Sequence, residues 1–299
     1  MQLSYPREEY LHPPHTACPG CSIPMALRYF LKAMGEKAVF IMPVGCSGVI
    51  IHLPTRRIGH QGQLMKVLSV PYGSTATFAG GVKTALTLRG DTDTEVVAWA
   101  GDGATFDIGF QALSAAAERN EDIIYVCCDN EGYMNTGNQK SSATPRNVIT
   151  STTPLPVPKY NSKKDIALVL AAHSVPYVCT LTIAYPDDFI RKVHKAKGMK
   201  GFRFLHVLAP CPTGWRFPSE STVKISRLAV ETKVFPLFEV ENGIDFTINV
   251  EPAGAPFQEY VRNQRRYANL TSQQEDELQE EAKQRWNWLK WLARYKKES

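Results

Sequence analysis

Two short apolar runs separated by one segment of helix length constrain the fold of this chain more than any other feature. The runs are EVVAWA at 95–100 and DIIYVCC at 122–128, and the segment between them, 107–120, has helical character. A strand, a helix and a second strand joined by short connections form a βαβ unit, and such units build parallel sheets. The sequence therefore predicts an α/β fold with an open, mostly parallel sheet and helices on both faces.

The flanking sequence extends this pattern in both directions. Apolar runs bounded by turn residues predict further strands, and segments with apolar residues at helical spacing predict further helices. A polar, proline-interrupted stretch at 131–164 separates the two halves of the pattern, and an insertion of that length is usually functional. The further strands are predicted at 38–44, 177–183 and 202–210, and the further helices at 23–34, 75–89 and 186–197.

The composition shifts at about residue 236, which divides the chain into a main domain at 1–235 and a C-terminal arm at 236–299. The arm contains a charged helix running to about residue 295. Thr271 or Ser272 can cap it, since Ser272 and Glu275 have the spacing of a capping box. One apolar stripe on this helix predicts contact with another subunit or packing on its own domain.

Composition excludes several classes of protein. The 43% hydrophobic content can fill a core, so global disorder is excluded, and a net charge of +5 over 299 residues is too weak to indicate nucleic acid binding. The N-terminus lacks an apolar signal-peptide region, and no run approaches the ~18 apolar residues of a membrane span. Seven cysteines, an odd number, argue against a secreted disulfide framework. We predict a soluble cytoplasmic protein without a membrane span.

The triplet Gly101-Asp102-Gly103 follows one predicted strand, and Asp129-Asn130 follows the next. Both pairs of polar residues then lie at the carboxyl ends of strands, where open α/β sheets bind ligands. Carboxylate and amide oxygens suit Mg²⁺, which is usually completed by phosphates and water, and glycines let the backbone approach a pyrophosphate. This spacing predicts a magnesium–pyrophosphate site; the alternative is two ordinary turns after strands.

A second group of residues is formed by cysteines. Cys18 and Cys21 form a CPGC motif, Cys46 follows a strand, and Cys211 lies in a proline-rich segment far along the chain. Thiolates at such spacing suit Zn²⁺ or an iron–sulfur cluster, although sequence alone leaves Cys211 uncertain as a fourth ligand. The remaining cysteines lie in apolar strands and are predicted to be inert buried thiols: Cys127, Cys128 and Cys179.

Taken in order, these motifs resemble one family. CPGC, a Gly-Cys pair at 45–46, GDG, DNEGYMNTGNQKSSATP at 129–145 and PCPTGWRF at 210–217 follow one another in the sequence. The chain resembles the thiamine diphosphate-binding beta subunit of 2-oxoacid:ferredoxin oxidoreductases, which include pyruvate:ferredoxin oxidoreductase. The resemblance covers about 15–240 and continues more loosely into the arm.

The resemblance implies roles for the polar residues after the two strands. Asp102, Asn130 and the backbone carbonyl of Gly132 would hold Mg²⁺ in the thiamine diphosphate site. Gly101 and Gly103 would border the pyrophosphate.

The resemblance also implies roles for Asn135 and the cysteines. Asn135 would point at the reactive end of the thiamine, as the expected catalytic residue. Cys18, Cys21, Cys46 and Cys211 would ligate one [4Fe–4S] cluster, with Cys46 also bordering the cofactor.

The implied activity is oxidative decarboxylation of a 2-oxoacid to acyl-CoA and CO₂, with coenzyme A as co-substrate and electrons leaving through the cluster. The family's activating glutamate comes from a different domain. A chain of 299 residues leaves no room for a second α/β domain, so an alpha-type partner subunit would supply it. A ferredoxin or a ferredoxin-like subunit would accept the electrons.

The chain departs from the family around Cys46. Ser47-Gly48 and the stretch that follows lack the bulkier residues and the Trp/His pattern expected there. Smaller groups predict room for a larger substrate such as an arylglyoxylate, whereas drift in a loop facing a partner is the alternative. A basic group in this stretch could steer a carboxylate or coenzyme A, or face solvent or a partner: His52, Arg56, Arg57 and His60.

Two other functions remain open on the sequence. A non-oxidative thiamine diphosphate lyase would need no cluster and would normally carry its glutamate in the same chain. A zinc-stapled interaction subunit would use the four cysteines but would give Asp102 and Asn130 no role.

Overall fold

The computed structural model describes residues 6, 8–13, 15–52, 59–60 and 63–295 of the chain. The strands are, in chain order, β1 Ala38–Pro43, β2 Gly59–His60, β3 Gln63–Leu64, β4 Lys66–Val70, β5 Glu95–Gly101, β6 Ile124–Asp129, β7 Tyr177–Thr182, β8 Arg203–Leu208, β9 Phe238–Glu241 and β10 Asp245–Ile248. The helices are α1 Ser22–Met34, α2 Cys46–His52, α3 Thr75–Leu88, α4 Phe110–Glu118, α5 Ile166–Ala171, α6 Pro186–Lys197, α7 Pro212–Trp215, α8 Thr222–Glu231, α9 Phe257–Arg262 and α10 Ser272–Tyr295.

Eight of the strands form one sheet in the order β10-β9-β7-β8-β6-β5-β1-β4. The six strands from β7 to β4 in this order pair in parallel, whereas β9 and β10 are added antiparallel at one edge. Strands β2 and β3 pair separately as a small hairpin. The predicted open, mostly parallel sheet is confirmed.

Apolar side chains fill both sides of this sheet. On one face α1 and α6 cover the strands, and Phe30 and Phe189 are fully buried between the layers. On the other face α3, α4 and α5 cover the strands, and Leu113 and Leu170 are fully buried. Each such side chain contributes roughly 1.5–3 kcal/mol when it is removed from water. Helices therefore lie on both faces, as the apolar patterns predict.

The C-terminal segment belongs partly to the sheet. Strands β9 and β10 lie within 236–299, and α10 packs against β10 with Trp286 and Leu289 buried. The apolar stripe on this helix therefore covers its own domain; contact with another subunit stays a prediction. In the ranges that the structure describes, no helix is both long and apolar enough to cross a bilayer.

The cap of α10 is displaced by one residue from the predicted capping box. Thr271 precedes the helix, and its Oγ1 accepts a hydrogen bond from the Gln274 amide at 3.2 Å. The side-chain oxygen of Gln274 accepts one from the Thr271 amide at 3.0 Å. Glutamine at the third helical position therefore takes the place predicted for Glu275, which completes the same reciprocal arrangement.

A buried arginine ties the amino ends of three central strands together. Arg203, at the start of β8, is fully buried and donates to Glu95 of β5 at 2.6 Å and to Asp122 just before β6. Burial acts to raise the pKa of Asp122, but Arg203 and Lys83 together outweigh it through their charges and hydrogen bonds, so that the pKa lies below its usual value. This end of the sheet is thus held by charge, opposite the end that carries the motifs.

Replacing Arg203 by methionine should lower the free energy of unfolding by about 3–5 kcal/mol, because the buried Glu95 would keep, of the ion pairs described for it, only the longer contact with the exposed Lys200 at 3.7 Å. Arg28→Met is the matched control, since Arg28 pairs with Glu9 at 2.9 Å on the exposed surface and should cost under about 1 kcal/mol. Urea unfolding followed by tryptophan fluorescence measures both. Equal losses in the two variants would contradict the role given to Arg203.

Candidate active site

Four neighbouring parallel strands end at one edge of the sheet and place a motif residue there. The strands are β8, β6, β5 and β1 in spatial order, and Cys211, Asn130, Asp102 and Cys46 follow them in the same order. The carboxyl ends of such strands are where open α/β sheets bind ligands. Residues up to 165 positions apart are thereby gathered along one edge.

A cavity of about 220 Å³ opens at this edge. Its walls include Tyr72, Tyr133 and Met134 in addition to predicted site residues. The structure brings into this one cavity all seven residues that were predicted to bind the cofactor: Cys46, Gly101, Asp102, Gly103, Asn130, Gly132 and Asn135.

Three oxygens converge on one side of this cavity. The side-chain oxygen of Asn130 lies 2.8 Å from the carbonyl oxygen of Gly132 and 3.1 Å from Oδ1 of Asp102. The amide hydrogens of Asn130 do not lie between these oxygens in this orientation. Either a cation holds them together, or the amide turns by 180° and donates to both partners. The arrangement is therefore a candidate cation site made of a carboxylate, an amide and a backbone carbonyl.

Asp102 is buried, with 2% of its surface exposed. Burial, together with the charge of Asp129, raises the pKa of the Asp102 carboxyl well above its usual range, and a hydrogen bond from Ser141 Oγ opposes that rise. Among the described residues, no cationic side chain forms an ion pair with Asp102. Its carboxylate is thus available to a cation that enters the cavity.

The neighbouring Asp129 is compensated from the protein itself. Lys163 lies 2.5 Å from its carboxylate, and His206 Nε2 lies 2.8 Å away. Burial acts to raise the pKa of Asp129, but Lys163 and His206 lower it to about 2. Burial lowers the pKa of His206, which favours the neutral ring. Asp129 thus anchors the turn that carries Asn130 and leaves the cation site to Asp102.

Gly103 lies where two tyrosines meet. A Cβ atom at this position would lie inside van der Waals contact of both the Tyr133 ring and the Tyr72 hydroxyl. Tyr133 is fixed in turn, because its hydroxyl donates to Asp107 at 3.0 Å. Asp107 ends a π-helical turn, Gly103–Asp107, and the helix predicted at 107–120 begins after it, at Phe110. Such turns are frequent at functional sites.

The four motif cysteines line a second, larger cavity of about 650 Å³. Burial raises the pKa of Cys21 to about 12 and that of Cys46 to about 11, and the neighbouring cysteine thiols add to both rises. Burial also raises the pKa of Cys211. The structure therefore brings Cys18, Cys21, Cys46 and Cys211 together around one space.

Backbone contacts hold the CPGC turn against the segment that follows Cys211. Gly20 has φ +71°, and a Cβ atom there would collide with the backbone of Ser219. Thr222 Oγ1 donates to the Gly20 carbonyl at 2.6 Å, and Ser22 Oγ donates to the Pro210 carbonyl at 2.9 Å. Glycine at position 20 thus permits the close approach that joins the two halves of the cysteine group.

The two cavities share part of their walls. Cys46 and Asn135 line both, and Met134 lies between them with its side chain against Gly214. The other shared lining residues are Ile23 and Asn130. The cysteine cavity is therefore adjacent to the cavity with the converging oxygens.

The other three cysteines are buried in the core, and the side chains of the predicted basic group are not described by the structure. Cys127, Cys128 and Cys179 are fully buried, and burial raises the pKa of each thiol, as expected of inert core thiols. The predicted basic group lies outside the part of the chain whose side chains are described, and its role stays a prediction: His52, Arg56, Arg57 and His60.

Several site residues carry no distinctive signal in the sequence. Tyr72 follows a short strand, and Lys163 ends the long polar stretch, so neither stands out by type or spacing. Met134 and Ser141 lie inside the motif at 129–145, and their position there was the available signal. The structure shows their roles through two contacts: the side chain of Met134 lies against Gly214, and Ser141 donates a hydrogen bond to Asp102.

Comparison with known proteins finds one matching family model and several similar proteins. Residues 43–207 match the family described as thiamine pyrophosphate enzyme, C-terminal TPP binding domain. The chain is similar to pyruvate synthase subunit PorB of Methanothermobacter thermautotrophicus, with 42% identity over 282 residues that cover 93% of this chain and 96% of the relative. It is similar to ketoisovalerate oxidoreductase subunit VorB of Pyrococcus furiosus, with 41% identity over 98% of this chain and 96% of that relative.

A solved structure shares the fold. The 2-oxoglutarate:ferredoxin oxidoreductase from Magnetococcus marinus, solved with 2-oxoglutarate, coenzyme A and succinyl-CoA bound, superposes with a TM-score of 0.60. The match covers 76% of this chain and 81% of that chain at 21% identity, and at this identity it shows the fold alone.

Replacing Gly103 by alanine should lower the free energy of unfolding by about 1–3 kcal/mol, because the added methyl group must displace the Tyr72 and Tyr133 rings. Gly81→Ala is the matched control: no atom lies within 4 Å of a Cβ built there, and removing a helical glycine should stabilise α3 by about 0.5–1 kcal/mol. Urea unfolding of both variants measures the difference. A neutral or stabilising Gly103→Ala would show that the two rings do not fix this turn.

Proposed function

The chain belongs to the family of thiamine diphosphate-binding beta subunits of 2-oxoacid:ferredoxin oxidoreductases, and from this premise we propose the reaction that it serves. The reaction is the CoA-dependent oxidative decarboxylation of a 2-oxoacid to acyl-CoA and CO₂, with two electrons leaving through a [4Fe–4S] cluster. The observation that carries the proposal is the shared wall of the two cavities, since it puts a cofactor pocket beside a four-cysteine space.

The three converging oxygens fit Mg²⁺. Its bonds of 2.0–2.1 Å in an octahedron put neighbouring oxygens about 2.9 Å apart. The distances from the Asn130 oxygen, 2.8 Å to Gly132 and 3.1 Å to Asp102, bracket this value. The buried Asp102 carboxylate would then gain the positive charge that the described protein does not supply. Asp102, Asn130 and Gly132 are thus the proposed magnesium ligands.

The glycines beside Asp102 fit a pyrophosphate. Gly101 and Gly103 expose backbone at the cavity wall, where side chains would occupy the space needed by a phosphate. Asn135 lines the same cavity near its border with the cysteine space, which suits an amide that orients the reacting part of the cofactor.

The cysteine cavity fits a cluster better than a single metal ion. A zinc site with 2.3 Å bonds needs thiolates about 3.8 Å apart. Within the described ranges, no three His, Cys, Asp or Glu side chains converge closely enough to hold one metal ion. The four thiols instead line part of a cavity of about 650 Å³, which leaves room for a larger group beside them. Iron would displace the thiol protons as it binds.

The bound cofactors would supply the bond chemistry, thiamine diphosphate by accepting the electron pair released with CO₂ and the cluster by accepting electrons singly. This chain's residues would bind the metal, shape the pocket and keep the two sites adjacent. The activating glutamate would come from an alpha-type partner subunit, and a ferredoxin or a ferredoxin-like subunit would take the electrons onward.

The substrate pocket is shaped by Ser47 rather than by a bulky residue. Ser47 lines the cofactor cavity, and its hydroxyl accepts a hydrogen bond from Trp99 Nε1 at 3.1 Å. The side chain is therefore held back against the sheet, which leaves space in front of it. This supports a 2-oxoacid of the size of pyruvate or bulkier, such as a branched 2-oxoacid or an arylglyoxylate.

Metal and cofactor analysis of the complex purified without oxygen tests the proposal. The wild-type complex should contain thiamine diphosphate and at least about four iron atoms per copy of this chain, with any ferredoxin-like subunit adding its own. Cys211→Ser should lose about four of these iron atoms per copy and keep thiamine diphosphate, whereas Asp102→Asn should lose thiamine diphosphate and keep iron, because the two sites use different ligands. Cys179→Ser, a buried core thiol, is the control and should keep both. Zinc without thiamine diphosphate in the intact complex would refute the proposal.

The substrate pocket makes a separate prediction. Ser47→Leu should reduce kcat/KM for phenylglyoxylate and for a branched 2-oxoacid by at least about tenfold relative to pyruvate, since the larger side chain fills the space in front of Trp99. Steady-state rates of substrate-dependent acceptor reduction with all three acids measure the ratio. Val223→Leu, on the exposed surface of α8, is the control and should leave the ratio unchanged. An unchanged ratio in Ser47→Leu would place the acyl group elsewhere.

A further inference from the structure

Residues 129–132, which include the proposed magnesium ligands Asn130 and Gly132, form a turn that we call the metal turn. This turn contains a buried acidic residue that is not one of the proposed ligands. Glu131 lies between Asn130 and Gly132, has 3% of its surface exposed, and adopts φ +63°, a conformation that non-glycine residues rarely take. Its carboxylate pairs with Lys163 at 2.8 Å and with Arg266 at 2.6 Å. Two cations thus hold the turn in place, and one comes from 135 residues further along the chain.

Arg266 is fixed on every side. It lies in a short helical turn, Arg265–Tyr267, and is 4% exposed. Its Nε donates to Gln264 at 2.9 Å, and its guanidinium lies 3.6 Å above the centre of the Trp215 ring. A cation stacked on an indole in a buried site is held strongly, and arginine is suited to this geometry.

Trp215 connects this cation to both proposed sites. Its Nε1 donates to the Asn130 carbonyl at 2.8 Å, on the metal turn. Its backbone amide donates to the Cys211 carbonyl at 2.8 Å, within the short helix that Cys211 caps. The Arg265 amide donates to the Arg216 carbonyl at 3.2 Å, which locks the two turns together. Arg266 therefore lies one indole ring away from the turn that carries Cys211.

The charges around the metal turn balance only when Arg266 is counted. Asp129 and Glu131 contribute two negative charges, and Lys163 and Arg266 contribute two positive ones. The Arg266 guanidinium lies 3.6 Å above the Trp215 ring, and the Trp215 backbone is hydrogen-bonded to that of Cys211. The charge of Arg266 therefore lies beside the turn that carries Cys211 as well as beside Glu131.

We propose that Arg266 is a positioning residue whose buried charge, held over Trp215, raises the midpoint potential of the cluster at Cys211. The inference rests on the proposed function, because it needs the cluster to be present. Reduction adds a negative charge to a cluster, so a nearby buried cation stabilises the reduced state. The Arg266–Trp215 stack thus makes the cluster a better electron acceptor at the boundary of the cofactor cavity.

The test is a redox titration of the complex purified without oxygen, followed by electron paramagnetic resonance. Arg266→Met should lower the equilibrium constant for reduction about tenfold, a shift of about 59 mV to more negative potential for one electron. Glu131→Gln should shift the potential in the opposite direction, because it leaves the network one positive charge in excess. The double variant should lie between the two.

Two further variants separate charge from structure. Arg266→Lys keeps the charge and should restore most of the potential lost in Arg266→Met. Arg227→Met is the control. The Arg227 guanidinium lies 5.0 Å from the centre of the Tyr185 ring rather than over Trp215, so its loss should leave the potential unchanged. If Arg266→Met does not assemble, Arg266→Gln, which keeps hydrogen-bond donors without the charge, takes its place and should give the same negative shift.

The outcomes distinguish this inference from the proposed function. A cluster signal in the wild type with equal potentials in wild type, Arg266→Met and Glu131→Gln would overturn the role of Arg266 and leave the proposed function standing. Shifts of the same sign in the two single variants would overturn it as well. A wild-type complex without any cluster signal would overturn the proposed function itself.

Discussion

The site depends on the adjacency of four parallel strands whose carboxyl ends meet at one edge of the sheet. Neighbouring strands lie about 4.8 Å apart, so β8, β6, β5 and β1 cover an edge of roughly 14 Å. Every motif that follows these strands must fit into that width. The short edge explains why the pocket of converging oxygens and the four-cysteine space have common walls, and why one chain can hold both.

Buried charge is distributed unevenly along this edge, and the distribution has a chemical meaning. Asp129 and Glu131 are neutralised by Lys163 and Arg266, which makes their turn rigid without any ligand. Asp102 is buried as deeply, yet within the described chain no cation pairs with it. An unpaired buried carboxylate is costly, so a positive ion is stabilised where Asp102 lies. Internal ion pairs thus act as scaffolding around Asp102, the proposed magnesium ligand.

The sequence predicts the central strands and the ligand-bearing turns, because apolar runs followed by Gly-Asp-Gly or Asp-Asn have a local signature. The contact between Arg266 and Glu131 has none, since nothing in the spacing of two residues 135 apart indicates that they meet. The position of Tyr72 beside Gly103 likewise has no local signature in the sequence. The cap of α10 shows a further limit: Thr271 with Gln274 and Ser272 with Glu275 have equivalent chemistry at the same spacing, and the structure shows the reciprocal hydrogen bonds in the first pair.

Arg266 lies 135 residues after Glu131, so the two partners of this ion pair are synthesised at different times. During synthesis, Asn130 and Glu131 leave the ribosome long before the segment that supplies the second cation. Until then, burying the turn would leave the Glu131 carboxylate with Lys163 as its only partner, and Trp215 would lack the group stacked on it. The turn therefore reaches its final packing only after the segment that contains Arg266 has been made.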